Sequence, residues 1–327
     1  QLLSGVGGWF IWDTEEVLAL VRWMRAYNDD QAHAKKVRFY GIDITAPWPG
    51  IEALQSYLRK VDPQYADIWG AKQTDLEVFH TDVWVETLEN YRRLPAEDVD
   101  ALGRTLDELI VRFREKRSAY VAGSSPSAYV WAARQALVAK RAHDMYATGV
   151  RGTFQEAGDV RERAMADNVR WLLNEVGNGE RIIVWAHNFH VGRDTFDLDI
   201  PGRPQTDGMV SMAHYLGGDL GPDLVTIGFS FNRGDYPDSP LPTAAEGTVD
   251  ATLAEVGHAL FLLDLRSAPK AGPVHTWLNH KQRMRGEGGV AELVPARSYD
   301  ALAFTERITR TVPTARAQAR LRTLNQR

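Results

Sequence analysis

Four short apolar runs constrain the fold more than any other feature of the sequence. Residues 182–186 (IIVWA), 224–229 (LVTIGF), 259–263 (ALFLL) and 301–304 (ALAF) are continuous stretches of strand length. Alternation is lost when neither face of a strand meets water, so such runs are expected in a sheet covered on both sides. A further β-rich stretch, residues 37–43 (VRFYGID), ends in a carboxylate and is followed by Pro47 and Pro49, as a strand running into a loop would be. Helices fit between the later runs at 208–217 and 248–256. Strand, helix and strand in alternation predict an α/β fold, with a mostly parallel central sheet flanked by helices.

The remainder reads as helix. Val17, Leu20, Val21, Met24 and Tyr27 share one face, so residues 14–28 form an amphipathic helix, and Asp13 stands three residues before Glu16 at capping-box spacing. Residues 50–150 read as a helical insertion, with a helix start at Pro95 and a turn at residues 122–126 (AGSSP) between two long antiparallel helices. Another helix spans 158–176. The expected organisation is therefore an N-terminal helix and strand (1–49), the insertion (50–150), an α/β core carrying the chemistry (151–313) and a tail (314–327). The tail holds four arginines and no acid, the pattern of a solvated terminal helix.

Composition removes several classes of function. Among 327 residues there is no cysteine, so disulfide scaffolds, thiolate metal sites and cysteine nucleophiles are excluded together. The net charge of −5 carries no basic face, and no run reaches the length of a membrane span, so neither nucleic acid nor membrane is the expected partner. The chain begins at Gln1, not methionine; a cytoplasmic location is a weak expectation, and oligomeric state is not legible.

In open parallel sheets ligands bind beyond the carboxyl ends of the strands. There this sequence places Asp43, then His187, Asn188 and His190, then Ser230 and Asn232, then Asp264 and Arg266. His187 and His190 are the sharpest candidates, because imidazole exchanges protons near neutral pH. A core role or a zinc site are the other readings of this pair, but the helical His-Glu-x-x-His arrangement is absent. Arg161 shares a helical face with Met165, Asn168 and Leu172, at the edge of a buried stripe. It needs an anionic or carbonyl partner, which Asp43, a developing oxyanion or an ordinary salt bridge would supply. Seven of ten tryptophans lie in the first 131 residues, as core or as the walls of a cleft. Residues 228–232 (GFSFN) lack the final glycine of a nucleophile elbow, residues 5–8 (GVGG) follow no strand, and no phosphate-binding loop occurs.

The string RIIVWAHNFHV, residues 181–191, resembles the WAHN-x-H signature of the erythromycin esterase family. Other segments are similar to further blocks of that family, in order: FIWDTEEV (10–17), RWMR (22–25), VRFYGID (37–43), Arg161 and Glu162 with Met165, Ala166 and Asn168, then IGF (227–229), LDLR (263–266) and DALAF (300–304). The resemblance implies a metal-independent, cofactor-free hydrolase in which activated water attacks a carboxylic ester or the lactone of a macrolide antibiotic. It implies catalytic roles for His187, His190 and Arg161, and binding or orienting roles for Asn188, Asp43 and Asn168. The family's opening GE-x-x-HG motif, which supplies its general base, does not occur here, so the chain is expected to be a fragment beginning after it. The alternatives are a non-catalytic α/β protein binding a porphyrin or polyketide, and a metal-dependent hydrolase.

Overall fold

The structure, a computed structural model, describes residues 12–72, 76–81, 84–177, 179–199, 206–236, 239–286 and 289–324. They form two compact units. The first comprises the described residues up to 164 and from 311 onward; the second comprises those from 165 to 310.

The first unit is helical. Helix α1 (Glu15–Asp29) is capped by Thr14, whose hydroxyl accepts the Val17 N–H at 3.3 Å. The cap therefore lies one residue after the Asp13 that spacing suggested. Asp13 instead accepts from the Thr314 hydroxyl and the Arg316 guanidinium, each at 2.7 Å, and so ties down the terminal segment. Helices α2 (Trp48–Val61), α3 (Pro63–Ala71), α4 (Trp84–Arg93), α5 (Ala96–Glu115), α6 (Arg117–Ala122) and α7 (Pro126–Arg151) follow. Apolar residues at helical period turn inward: Ile51, Leu54 and Leu58 on α2, and Leu102, Leu106, Leu109 and Phe113 on α5. Ala132, Ala136 and Ala139 on α7 are small enough to let that helix lie close against α2 and α5. Trp69 is buried in this core, whereas Trp23 is exposed. Helix α8 (Phe154–Trp171) continues as a π-helical turn (Leu172–Val176) that ends at Gly177, whose N–H reaches the Leu172 carbonyl at 2.7 Å.

The second unit carries the strands, and they correct the expected fold. Instead of one mostly parallel sheet there are two four-stranded sheets. The first has the order β2 (Thr206–Met209), β1 (Phe196–Asp199), β7 (Gly289–Leu293), β6 (Gln282–Gly286), and every pairing in it is antiparallel. The second has the order β4 (Ser239–Leu241), β3 (Ile227–Tyr236), β8 (Ala301–Ile308), β5 (Leu260–Asp264), and in it the β3–β8 pair alone is parallel. Residues 37–43 and 182–186, both expected as strands, pair in no ladder among the described residues. Short helices α9 (Asn188–Val191), α10 (Met212–Leu220), α11 (Val249–Ala254), α12 (Pro273–Leu278) and α13 (Pro295–Ser298) connect the strands, and α14 (Ala315–Leu324) closes the chain in the first unit.

The error has a physical origin. A continuous apolar run suits a strand covered on both faces, but Ile183 is 94% exposed and Trp185 61%. Along β3 the small or polar Thr226, Gly228 and Ser230 are buried, while Val225, Ile227 and Phe229 face outward. The antiparallel strands of the first sheet are short, and FDLD, TDGM, QRMRG and GVAEL contain no continuous apolar run of strand length. No described helix is long and apolar enough to cross a membrane.

Candidate functional site

His187 follows the apolar run 182–186, in an extended conformation where the chain turns into the single helical turn α9. Its ring is exposed, while Asn188, Phe189 and His190 are half-buried. The turn is held from several directions. The His190 N–H reaches the His187 carbonyl at 2.8 Å, and the Gly192 N–H reaches that of Asn188 at 2.9 Å. The His187 ring caps the turn, with Nδ1 accepting the Phe189 N–H at 3.2 Å.

Asn188 fixes the turn to the sheet. Its Nδ2 donates to the Phe229 carbonyl at 2.7 Å, and its Oδ1 accepts the Phe229 N–H at 2.9 Å. One side-chain amide thus makes both hydrogen bonds that a neighbouring strand would make to Phe229 of β3. Tyr299 supports the same residue from within, its hydroxyl donating to the Asn188 carbonyl at 3.4 Å. Burial, reinforced by the Asp250 carboxylate, pushes the Tyr299 phenol above its ordinary value, so it remains a donor throughout the neutral range. Tyr299 fits because residue 228 is glycine: a Cβ there would lie 3.0 Å from the Tyr299 ring and 2.9 Å from Leu302. Phe189 stacks on Phe196 with centroids 4.9 Å apart and fills the space a side chain at Gly286 would need. The Ser211 hydroxyl donates to the Gly192 carbonyl just beyond the turn.

The remaining strand-end residues do not gather there. Ser230 points inward and donates to Asp250 at 2.7 Å; that fully buried carboxylate also accepts the Arg285 N–H at 2.8 Å. Asn232 donates to Glu306 at 3.0 and 3.1 Å. Asp264 and Arg266 pair with each other on the surface at 3.0 Å. That hydrogen-bonded pairing holds the Asp264 carboxyl below the usual carboxylate range and raises Arg266.

In the first unit Arg161 and Asp43 meet. The guanidinium grips the carboxylate through Nε at 3.0 Å and Nη2 at 2.7 Å, the bidentate geometry that arginine alone supplies. Asp43 Oδ1 also accepts the Ile44 N–H at 2.7 Å, and the Thr45 carbonyl is fixed by the Tyr146 hydroxyl at 2.7 Å. Burial alone would lower the Arg161 pKa, but the Asp43 charge and its hydrogen bonds outweigh burial and raise it. Asn168 lies buried on α8.

Sequence reasoning missed Tyr299, Gly228 and the main chain of Phe229. The glycine inside an otherwise apolar run was the available signal, since a glycine in a strand marks close approach by a neighbour.

The comparisons with known proteins give the fold and the family. A search of curated protein sequences returns no match. The fold is shared with a succinoglycan biosynthesis protein at 19% identity and a TM-score of 0.75, covering 93% of this chain and 73% of that one. A protein from Bacillus cereus, at 20% identity, has a TM-score of 0.71 and coverages of 92% and 73%. The erythromycin esterase EreC, in the open conformation of a histidine-to-asparagine mutant, has 15% identity, a TM-score of 0.68 and coverages of 88% and 72%. The family model for erythromycin esterase matches residues 6–308. With that match spanning nearly the whole sequence, the chain belongs to the erythromycin esterase family.

Proposed function

We propose that the protein is a carboxylic ester hydrolase in which water attacks an ester or macrolactone carbonyl, with His187 and His190 supplying the acid–base chemistry. The observation that carries this reading is the family match over residues 6–308, which contains the whole His187–His190 turn. The geometry of the turn supports it. An exposed imidazole on a turn fixed through Asn188 and Tyr299 has little freedom left to lose when substrate arrives. Among the described residues no three histidine or carboxylate side chains converge at ligand spacing.

Arg161 and Asp43 enter the proposal as the chain's other charged element. The guanidinium grips Asp43, whose Oδ1 in turn holds the Ile44 N–H. Arg161→Lys, which keeps the charge but cannot form the fork, tests whether turnover depends on that geometry.

The experiment is an assay of the purified protein against a panel of aryl and alkyl esters and an erythromycin-type macrolactone, with and without chelator. Saturable hydrolysis that is insensitive to chelator is expected. No turnover of any ester, or turnover that requires added metal, would contradict the proposal.

A further inference from the structure

The His187 turn is seated on both sheets of the second unit, through two neighbouring residues. The Asn188 side chain accepts the Phe229 N–H of β3 at 2.9 Å and donates to its carbonyl at 2.7 Å. Phe189 faces the other sheet. Its ring stacks on Phe196 of β1, with centroids 4.9 Å apart, and occupies the space a Cβ at Gly286 of β6 would need. The attitude of the turn is therefore set by how β3 and β6 stand to each other.

One side chain spans that gap, a single residue away from each contact. Asp250, on α11, is fully buried. Its Oδ1 accepts the Ser230 hydroxyl of β3 at 2.7 Å, and its Oδ2 accepts the Arg285 N–H of β6 at 2.8 Å. Ser230 directly follows Phe229, and Arg285 directly precedes Gly286. The peptide group joining Phe229 to Ser230 is planar and carries the carbonyl that receives the Asn188 amide. Holding Ser230 by its inward-facing side chain therefore also holds that carbonyl. The helix that presents Asp250 is itself anchored: the Thr248 hydroxyl caps it by accepting the Ala251 N–H at 3.1 Å, and Thr248 bridges to Arg283 of β6. The Arg285 side chain crosses in the same direction, lying 5.1 Å from the Phe231 ring centroid of β3 and donating to the Pro242 carbonyl at 2.6 Å.

We infer that Asp250 is a positioning residue for the reaction: by tying β3 to β6 beside both contacts, it fixes the angle at which the His187 turn is presented. Its effect on rate rests on the hydrolase reading; its effect on geometry does not. A misplacement of about 1 Å costs on the order of 10²-fold in rate, and the Asp250 bridge acts on both supports of the turn at once.

The test uses the full chain and a two-dimensional proton–nitrogen spectrum, with the Asn188 side-chain amide identified by its loss in Asn188→Ala. Asp250→Ala strips both sheets of a partner and risks unfolding the unit. The informative pair is therefore Ser230→Ala, which cuts the β3 arm alone, and Asp250→Asn, whose amide still spans the gap. In the asparagine variant Oδ1 accepts the Arg285 N–H and Nδ2 donates to the Ser230 oxygen. Ser230→Ala is expected to displace the Asn188 amide and Phe189 N–H signals. It is also expected to lower kcat for ester hydrolysis about tenfold or more, with KM within about twofold of wild type. Asp250→Asn is expected to keep the signals and kcat near those of wild type. A folded Ser230→Ala that leaves the signals in place, or moves them with kcat unchanged, overturns the proposal. An Asp250→Asn that displaces them as far overturns it too. A wild type that hydrolyses no ester refutes the hydrolase reading instead, and the spectra still decide whether Asp250 sets the turn.

Discussion

The helical core of the first unit and the β3–β8–β5 sheet of the second treat the same kind of side chain in opposite ways. On α2 and α5 leucine and isoleucine recur every three or four residues, and Ile51, Leu54, Leu58, Leu106 and Leu109 are all fully buried. On the sheet Leu260 is 76% exposed, Leu262 62% and Phe229 66%. Hydrophobicity alone therefore did not decide burial in this molecule. A helical period states which side of the element is apolar and hence where its neighbour must lie. A continuous run makes no such statement, because it offers apolar side chains to both faces.

The largest test of this contrast is Leu106→Ala. Removing a fully buried leucine side chain costs about 2–5 kcal/mol, from lost burial and the cavity left behind. Denaturant unfolding followed by circular dichroism measures it, and a loss under about 1 kcal/mol would mean that the helical core is looser than described. Asp62 comes next. Burial alone would raise its pKa, but hydrogen bonds from Tyr120 at 2.7 Å and Arg112 at 2.6 Å outweigh that and hold it below the usual carboxylate range. Asp62→Asn therefore costs about 1.5–3 kcal/mol at neutral pH, as expected for hydrogen bonds to a charged group. Because the folded pKa is depressed, that stabilisation is complete above the unfolded value of about 3.9 and is lost as pH falls through the folded one. Wild type and variant should converge in strong acid, and a constant gap down to low pH would count against the network.

Gly228→Ala is the corresponding lesion in the sheet. A methyl group meeting Tyr299 and Leu302 at about van der Waals overlap costs about 1–3 kcal/mol and should displace Tyr299 from Asn188. Unfolding and turnover are to be measured together, and an unaffected turnover would separate Tyr299 from the His187 turn. The smallest effect is Leu260→Thr, within about 0.5 kcal/mol because the side chain is mostly exposed. A cost like that of Leu106→Ala would show that this face is covered in solution.

The sequence carried the helical half of the fold well, since Val17 to Tyr27 and the apolar faces of residues 50–150 obey one period. Its strands were legible only where they were apolar, at 224–229, 259–263 and 301–304. The short strands β1, β2, β6 and β7 contain no continuous apolar run and gave no signal, and the run at 182–186 belongs to no described strand. Of the candidate site, His187, Asn188 and His190 stood out by their position after an apolar run, and Asp43 was one of the partners open to Arg161. The clamp was not readable. It depends on the main chain of Phe229, forty-one residues from Asn188, and on Tyr299, more than one hundred residues away. Backbone partners at such separations leave no trace in residue type.

The central claim is that the chemistry of this protein resides on the His187 turn braced against β3. Its most direct test is kcat/KM for ester hydrolysis by His187→Ala, measured beside the thermal unfolding of the same sample. The account predicts a loss of about 10²–10⁴-fold, the usual contribution of a general acid–base group, with the unfolding midpoint unchanged. A fall of less than about tenfold in a variant that remains folded would contradict it.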